Sequence, residues 1–403
     1  MHVANPQIKT RRALVDYMHD VMASSTQEWR KERRNKTGEG RLKAYLLDAH
    51  TGSKSSQDAV LALLRQVCAV NGQAIVSETE DALLFTIALG DELLIVDAAD
   101  SRFMILHTAG RTENTDPFIT KAVDALPELD RAWLPSNFLL NSANTIGRLR
   151  RGTVRFDSGQ LLGRSQPSKA KPEELEDDFD GLDGSNSSGG KRLTLDLADP
   201  LNARQALDEL NGVAYFRHAL ALSRVDVFRH DGPGDSDLYS ISRIFDWGKV
   251  SAVGTSADSH LAVLFALRSR YRDSIQRIER EFSFQVETAD GRHGHLRGHP
   301  INISFQVPIV DIGLFARRVF SARRPFLLWG EPRLRNENFA TVHALDLHIG
   351  SPIYCEIMPN ALRIYLQQGT CGNTVARLYT NLVRYYDASA EVFGRGTEDT
   401  LLQ

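Results

Sequence analysis

The sequence predicts an α+β protein made of three divergent β-α-β-β-β-α units, each an antiparallel sheet with helices packed on one face. Three observations carry this. Short apolar runs follow one another too closely for anything but antiparallel meanders. Longer segments with apolar residues every three or four positions alternate with those runs. One strand-to-helix junction recurs three times, as Gly110, Thr112, Asn114, Thr115, then Gly254, Ser256, Asp258, Ser259, then Gly369, Cys371, Asn373, Thr374. The later two copies also match at a constant offset of 115, which pairs Tyr239 with Tyr354 and Tyr271 with Tyr386. A period of this length points to repeated supersecondary units.

The elements follow in order. Leu14, Met18 and Met22 form one apolar stripe, so a helix is expected from about Lys9 to Arg34. Ala44 to Ala49 reads as a buried strand. Ser55 and Ser56 can cap the next helix, whose inner face is Val60, Leu61, Leu64, Val67 and Cys68, and Gly72 stands where a helix ends. Strands over Leu83 to Leu89, Leu93 to Ala98 and Phe103 to His107 precede a helix through Phe118, Ile119, Val123 and Leu126.

Residues 164–191 read as a linker. Seven carboxylates between Glu173 and Asp183, followed by Ser and Gly, bury too little to offset the ordering entropy of the chain. Beyond it the order returns: a strand over Leu193 to Leu197, and a helix opened by Asp199 and Pro200 and closed by Gly212. Strands at about His218 to Phe228, Leu238 to Phe245 and Lys249 to Val253 lead into a long helix with Leu261, Leu264, Tyr271, Ile275, Ile278 and Phe282 along one side. The last unit has a strand at Ile301 to Val307, a helix over Leu314 to Phe320, and strands at about Phe326 to Trp329, Thr341 to Ile349, Ile353 to Met358 and Leu362 to Gln367. Its final helix holds Val375, Leu378, Leu382 and Tyr386. The expected segments are therefore 1–163, the linker 164–191, 192–299, 300–393 and a tail 394–403.

Composition excludes several classes. With 42% hydrophobic and 25% charged residues in 403, the chain is neither disordered nor membranous. No apolar run approaches the roughly 20 residues that cross a bilayer, and the first residues lack a secretory pattern. A cytoplasmic location without membrane contact is expected. Cys68, Cys355 and Cys371 are too scattered for a disulfide framework or a cysteine-based zinc site.

Net charge is −3, and arginines outnumber lysines 38 to 10. Arg suits bidentate contacts to phosphate. Three segments concentrate the charge: Arg30, Lys31, Arg33, Arg34 and Lys36; then Arg148, Arg150 and Arg151; then Arg317, Arg318, Arg323 and Arg324. Such segments neutralise phosphates without reading sequence; arginines at a helix C-terminus are also favoured by its dipole.

Chemistry is thinner. His293, His295 and His299 are the one histidine cluster, and alternating histidines on a strand can start a transition-metal site, while the surrounding glycines fit a polar hairpin. His50 to Ser55 lies between strand and helix but lacks the phosphate-loop pattern. Asp91, Glu92, Asp97 and Asp100 are dense enough for a metal-dependent nuclease but flank strands as turn residues do. No serine-hydrolase elbow or cysteine–histidine pair occurs. No cofactor is expected. The expected function is a non-catalytic nucleic-acid-binding protein or subunit of a larger assembly; the alternatives are a protein-interaction scaffold and a metal-dependent enzyme built on the histidines.

Overall fold

Serine before a helix and glycine after it fix the best-bounded helix of the chain. The Ser56 hydroxyl accepts from the Ala59 amide at 3.2 Å, and Gly72, at φ +78°, returns its amide to Cys68 and Ala69. A computed structural model describes residues 8–31, 41–50, 56–72, 74–156, 193–197, 203–213, 218, 220–231, 238–289, 293–396 and 399–402. The expected linker, Arg33, Arg34 and Lys36, and residues 51–55 lie outside them.

In chain order the elements are α1 (Arg11–Lys31), β1 (Leu42–Ala49), α2 (Gln57–Asn71), β2 (Ala74–Glu78), β3 (Leu84–Leu89), β4 (Glu92–Asp97), β5 (Phe103–Thr108), α3 (Thr112–Ala125), β6 (Leu129–Arg131), α4 (Ser136–Ile146) and β7 (Arg148–Phe156). They continue with β8 (Leu193–Leu197), α5 (Ala203–Gly212), β9 (Leu220–His230), β10 (Tyr239–Phe245), β11 (Lys249–Gly254) and α6 (Ala257–Phe282). Last come β12 (Ser283–Ala289), β13 (His293–Arg297), β14 (Ile301–Ser304), α7 (Ile312–Val319), β15 (Leu328–Asn336), β16 (Phe339–Asp346), β17 (Pro352–Met358), β18 (Ala361–Gln367), α8 (Asn373–Tyr385) and β19 (Glu391–Phe393). Two largely antiparallel sheets, with β12 parallel to β18, and helices alongside make this an α+β fold, as expected. Among the described residues no helix is long and apolar enough to cross a membrane.

Three repeated units are not confirmed. Two compact units emerge instead, the first from residues 1–134, 139–150 and 224–273, the second from 135–138, 151–223 and 274–403. The reason lies in β1, which is buried along its whole length. A strand covered on both faces and central in a sheet needs partners on both edges. β5 supplies one edge, while β6 and β11 share the other, so the strand after the expected linker bonds to the strand before it.

The sheet of the first unit runs β2-β3-β4-β5-β1-β11-β10-β9. Val263, Leu264 and Leu267 of α6 and Leu14, Met18 and Met22 of α1 are buried in this unit. Several buried charges also tie the unit together. Lys249 reaches Asp116 of α3 at 2.6 Å, the Tyr45 hydroxyl donates to the same carboxylate, and Lys43 donates to the Gly110 carbonyl. Glu92 accepts from the Arg111 amide and the Asn114 side chain at 3.0 Å, and Asp97 takes Arg11 at 3.0 Å. Both carboxylates therefore have structural partners.

The second unit has the sheet β13-β12-β18-β17-β16-β15, with β14 on β18 and β19 on β14. β17 and β18 alternate strictly: Ile353, Cys355, Ile357, Leu362, Ile364 and Leu366 are buried, together with Phe315 and Val319 of α7 and Val375, Leu378 and Leu382 of α8. Period two leaves every other residue on the opposite face.

The recurring junction is satisfied in two different ways. Before α6 the Ser256 hydroxyl accepts from the Ser259 amide at 3.1 Å, a side-chain cap. Arg111 and Gly372 precede α3 and α8 without one. There Glu92 takes the Arg111 amide, and Glu279 takes the Gly372 amide at 2.7 Å.

Candidate nucleic-acid interface

On the face of the second unit's sheet opposite its buried residues, aromatic rings line up across four strands. Phe284 of β12 lies 5.7 Å from Tyr365 of β18, Tyr365 lies 5.4 Å from Tyr354 of β17, and Tyr354 lies 4.9 Å from His343 of β16, all centroid to centroid. Register places them there: Tyr365 faces Tyr354, Tyr354 faces His343, and His343 faces Glu331 of the edge strand β15. His343 is exposed and the other three rings are half-buried.

Polar groups flank the row. Arg363 pairs with Glu356 at 3.2 Å and donates to Asn302 at 2.9 Å, and the Tyr365 hydroxyl donates to Glu356 at 3.0 Å. Burial and then the neighbouring Glu356 hold the Tyr365 phenol above its ordinary pKa, so it remains a donor at neutral pH. At the other end of the row, Trp329 is 58% exposed. An open depression there is lined by Arg317, Trp329, Gly330, Glu331 and Pro332. It combines a cation, an indole face and a carboxylate.

The basic residues expected from the sequence are distributed unevenly. Arg317 lines the depression and is exposed, as is Arg323, while Arg318 and Arg324 are half-buried. Burial lowers the Arg324 pKa, although a guanidinium stays charged at any physiological pH. Arg148 and Arg150 are exposed on β7, two residues apart and so on one side of the strand, and Arg151 is half-buried. Arg30 and Lys31 end α1, with side chains outside the described residues. Of the histidines, His295 lies on β13 opposite Glu287 of β12, and His295 and His299 are both exposed; the side chain of His293 is outside the described residues.

A family model described as MJECL33-like protein matches residues 2–401. The chain belongs to the MJECL33-like family. A relative, the uncharacterized protein MJECL33 of Methanocaldococcus jannaschii, is 22% identical over 402 residues, covering 96% of this chain and 94% of that protein. No solved structure matches.

In this MJECL33-like chain the aromatic row went unread in the sequence, although its signal was present. Ile353-Tyr354-Cys355-Glu356-Ile357 and Leu362-Arg363-Ile364-Tyr365-Leu366 both alternate apolar residues with aromatic or charged ones. Two adjacent strands of that kind put tyrosine and charge together on one face.

Proposed function

We propose that this protein binds nucleic acid without catalysis, through the aromatic face of its second unit. The observation that carries the proposal is the row Phe284, Tyr365, Tyr354 and His343 across four adjacent strands of one sheet. Every base has a π-face, so rings on a rigid sheet bind bases irrespective of sequence, each stack being worth about 1–3 kcal/mol. Arg317, Arg323 and Arg333, exposed in the same unit, supply charge for the phosphates.

The test is a gel-shift or fluorescence-anisotropy series with oligonucleotides at rising salt. Affinity should fall steeply as salt increases, and Tyr354→Ala with Tyr365→Ala should weaken binding by at least tenfold, about 1.4 kcal/mol. Absence of binding at low salt overturns the proposal.

A protein-binding role is favoured by one other observation. Val286 and Leu296 face each other on the β12–β13 ribbon and are 69% and 71% exposed. Apolar side chains of that exposure on facing strands form a contact patch. Co-purification of a stoichiometric protein partner that Val286→Asp with Leu296→Asp abolishes, together with no affinity for oligonucleotides, would select this role.

A further inference from the structure

The depression beside Trp329 lies at the end of the aromatic row and differs from it in chemistry. The four rings of the row chiefly offer stacking to a base, whereas here Trp329 and Glu331 stand two residues apart on β15, on one side of the strand, and Arg317 of α7 also lines the depression. Glu331 faces His343, so one lining residue of the depression stands beside the end of the row. Among the described residues neither Glu331 nor Arg317 has a hydrogen-bond or ion-pair partner, in contrast to Arg363 and Glu356, which hold each other.

Each group matches a different part of a nucleotide. An indole face stacks on a base, a guanidinium takes a phosphate in bidentate fashion, and a carboxylate accepts hydrogen bonds but donates none. The carboxylate decides which base fits. Guanine presents two adjacent donors, N1–H and the N2 amino group, on its Watson–Crick edge, matching the two oxygens of one carboxylate. Uracil and thymine present one donor between two carbonyl oxygens, which repel a carboxylate. Adenine and cytosine present an amino group beside an acceptor nitrogen. Only an unpaired base offers that edge, because pairing occupies it.

We infer that Trp329, Glu331 and Arg317 form a recognition pocket for one unpaired guanine nucleotide at the end of the aromatic row, which makes single-stranded, guanine-containing nucleic acid the preferred ligand. This rests on the nucleic-acid reading of the same sheet. Ribose and deoxyribose strands share the chemistry.

The experiment compares the full-length protein with 11-nucleotide strands of uridine carrying one central guanosine, the same strand without it, the two deoxy equivalents, and the guanine-containing strand paired to its complement. The guanine strand should bind about tenfold more tightly than the all-pyrimidine strand, the lower part of the range for a bidentate base contact, and the duplex should lose that advantage. Glu331→Gln should abolish the guanine preference, so that the guanine-containing and all-pyrimidine strands bind the variant alike. Trp329 fluorescence should be quenched by the guanine strand, and Trp329→Phe should remove that quenching; Trp133 and Trp247 are buried. Equal affinity for all single strands, or an unaltered preference in Glu331→Gln, overturns the pocket. If those strands still bind and Tyr354→Ala still weakens them, the nucleic-acid reading survives. Absence of binding to every strand overturns both. Preference between the ribose and deoxyribose strands then separates RNA from DNA as the source.

Discussion

Tyr354 and Tyr365 stand directly opposite each other on β17 and β18, with ring centroids 5.4 Å apart and ring planes at 53°. Half-exposed tilted rings in a cross-strand pair support the sheet as well as any ligand. A double-mutant cycle on urea unfolding, with Tyr354→Ala, Tyr365→Ala and both, should return a coupling of about 0.5–1.5 kcal/mol. Phenylalanine at both positions should restore stability and retain oligonucleotide binding, since stacking needs the rings. A zero coupling would show that the two rings do not stabilise each other.

Arg377 of α8 and Asp346 of β16 form a fully buried ion pair, with Thr374 also donating to the carboxylate and the Arg377 Nε donating to the Phe326 carbonyl at 2.9 Å. Removing one partner strands the other charge in a low dielectric. Arg377→Met should therefore destabilise the protein by about 3–5 kcal/mol, while Arg377→Met with Asp346→Leu should recover much of the loss. Denaturant midpoints at constant m-value measure both. Similar losses in the single and double variants would show that the network around the pair matters more than the pair.

Local structure was legible where period and punctuation agree. Leu14, Met18 and Met22 gave α1, Ser56 and Gly72 bounded α2, and the apolar runs of β3, β4 and β5 appear within a residue or two of their expected limits. Partnering of strands was not legible, because nothing in Ala44 to Ala49 says that β11 will be hydrogen-bonded beside it. The junction pattern misled for a related reason. Thr115 and Thr374 look like capping residues, yet one bonds back to the Arg111 carbonyl and the other goes to Asp346, a partner far along the chain. Of the basic segments, among the described residues, only Arg317 lines the depression at the end of the row. Charge runs are visible in one dimension, whereas the aromatic row exists only once four strands are in register.

His107 and His260 should make the first unit acid-sensitive. His107 is buried on β5 with both ring nitrogens unpartnered among the described residues, and His260 of α6 bonds Ser242 at 3.0 Å. Burial lowers His107 to about 4, opposed by Asp97 and assisted by Arg268, and lowers His260 to about 3, with His107 adding to the effect. In the unfolded chain each binds a proton near pH 6.5, so the unfolded state takes up protons first as the pH falls. Stability should be fully present above pH 6.5 and decline below it, by up to about 1.4 kcal/mol per pH unit for each histidine, until the folded groups also titrate. Urea unfolding between pH 7.5 and 4 should show that decline, and His107→Met should flatten it. An equal slope in the variant would assign the acid sensitivity to other groups.

Gly254 and Gly369 occupy the same place in the recurring junction, but substitution should separate them. Gly254 has φ +147°, and a Cβ there would lie 2.2 Å from the Tyr239 carbonyl oxygen. That oxygen accepts the amides of Thr255 and Ser256 at 2.8 and 3.1 Å, so displacing it loosens the turn that starts α6. Gly369 has φ +84° with open space where a Cβ would stand. Gly369→Ala should lose only the left-handed backbone preference, about 1–2 kcal/mol. Gly254→Ala adds a collision with backbone and should lose about 2–5 kcal/mol in all. Thermal or urea unfolding of the two variants measures the difference. Equal losses would mean that the β11–α6 turn yields without resistance.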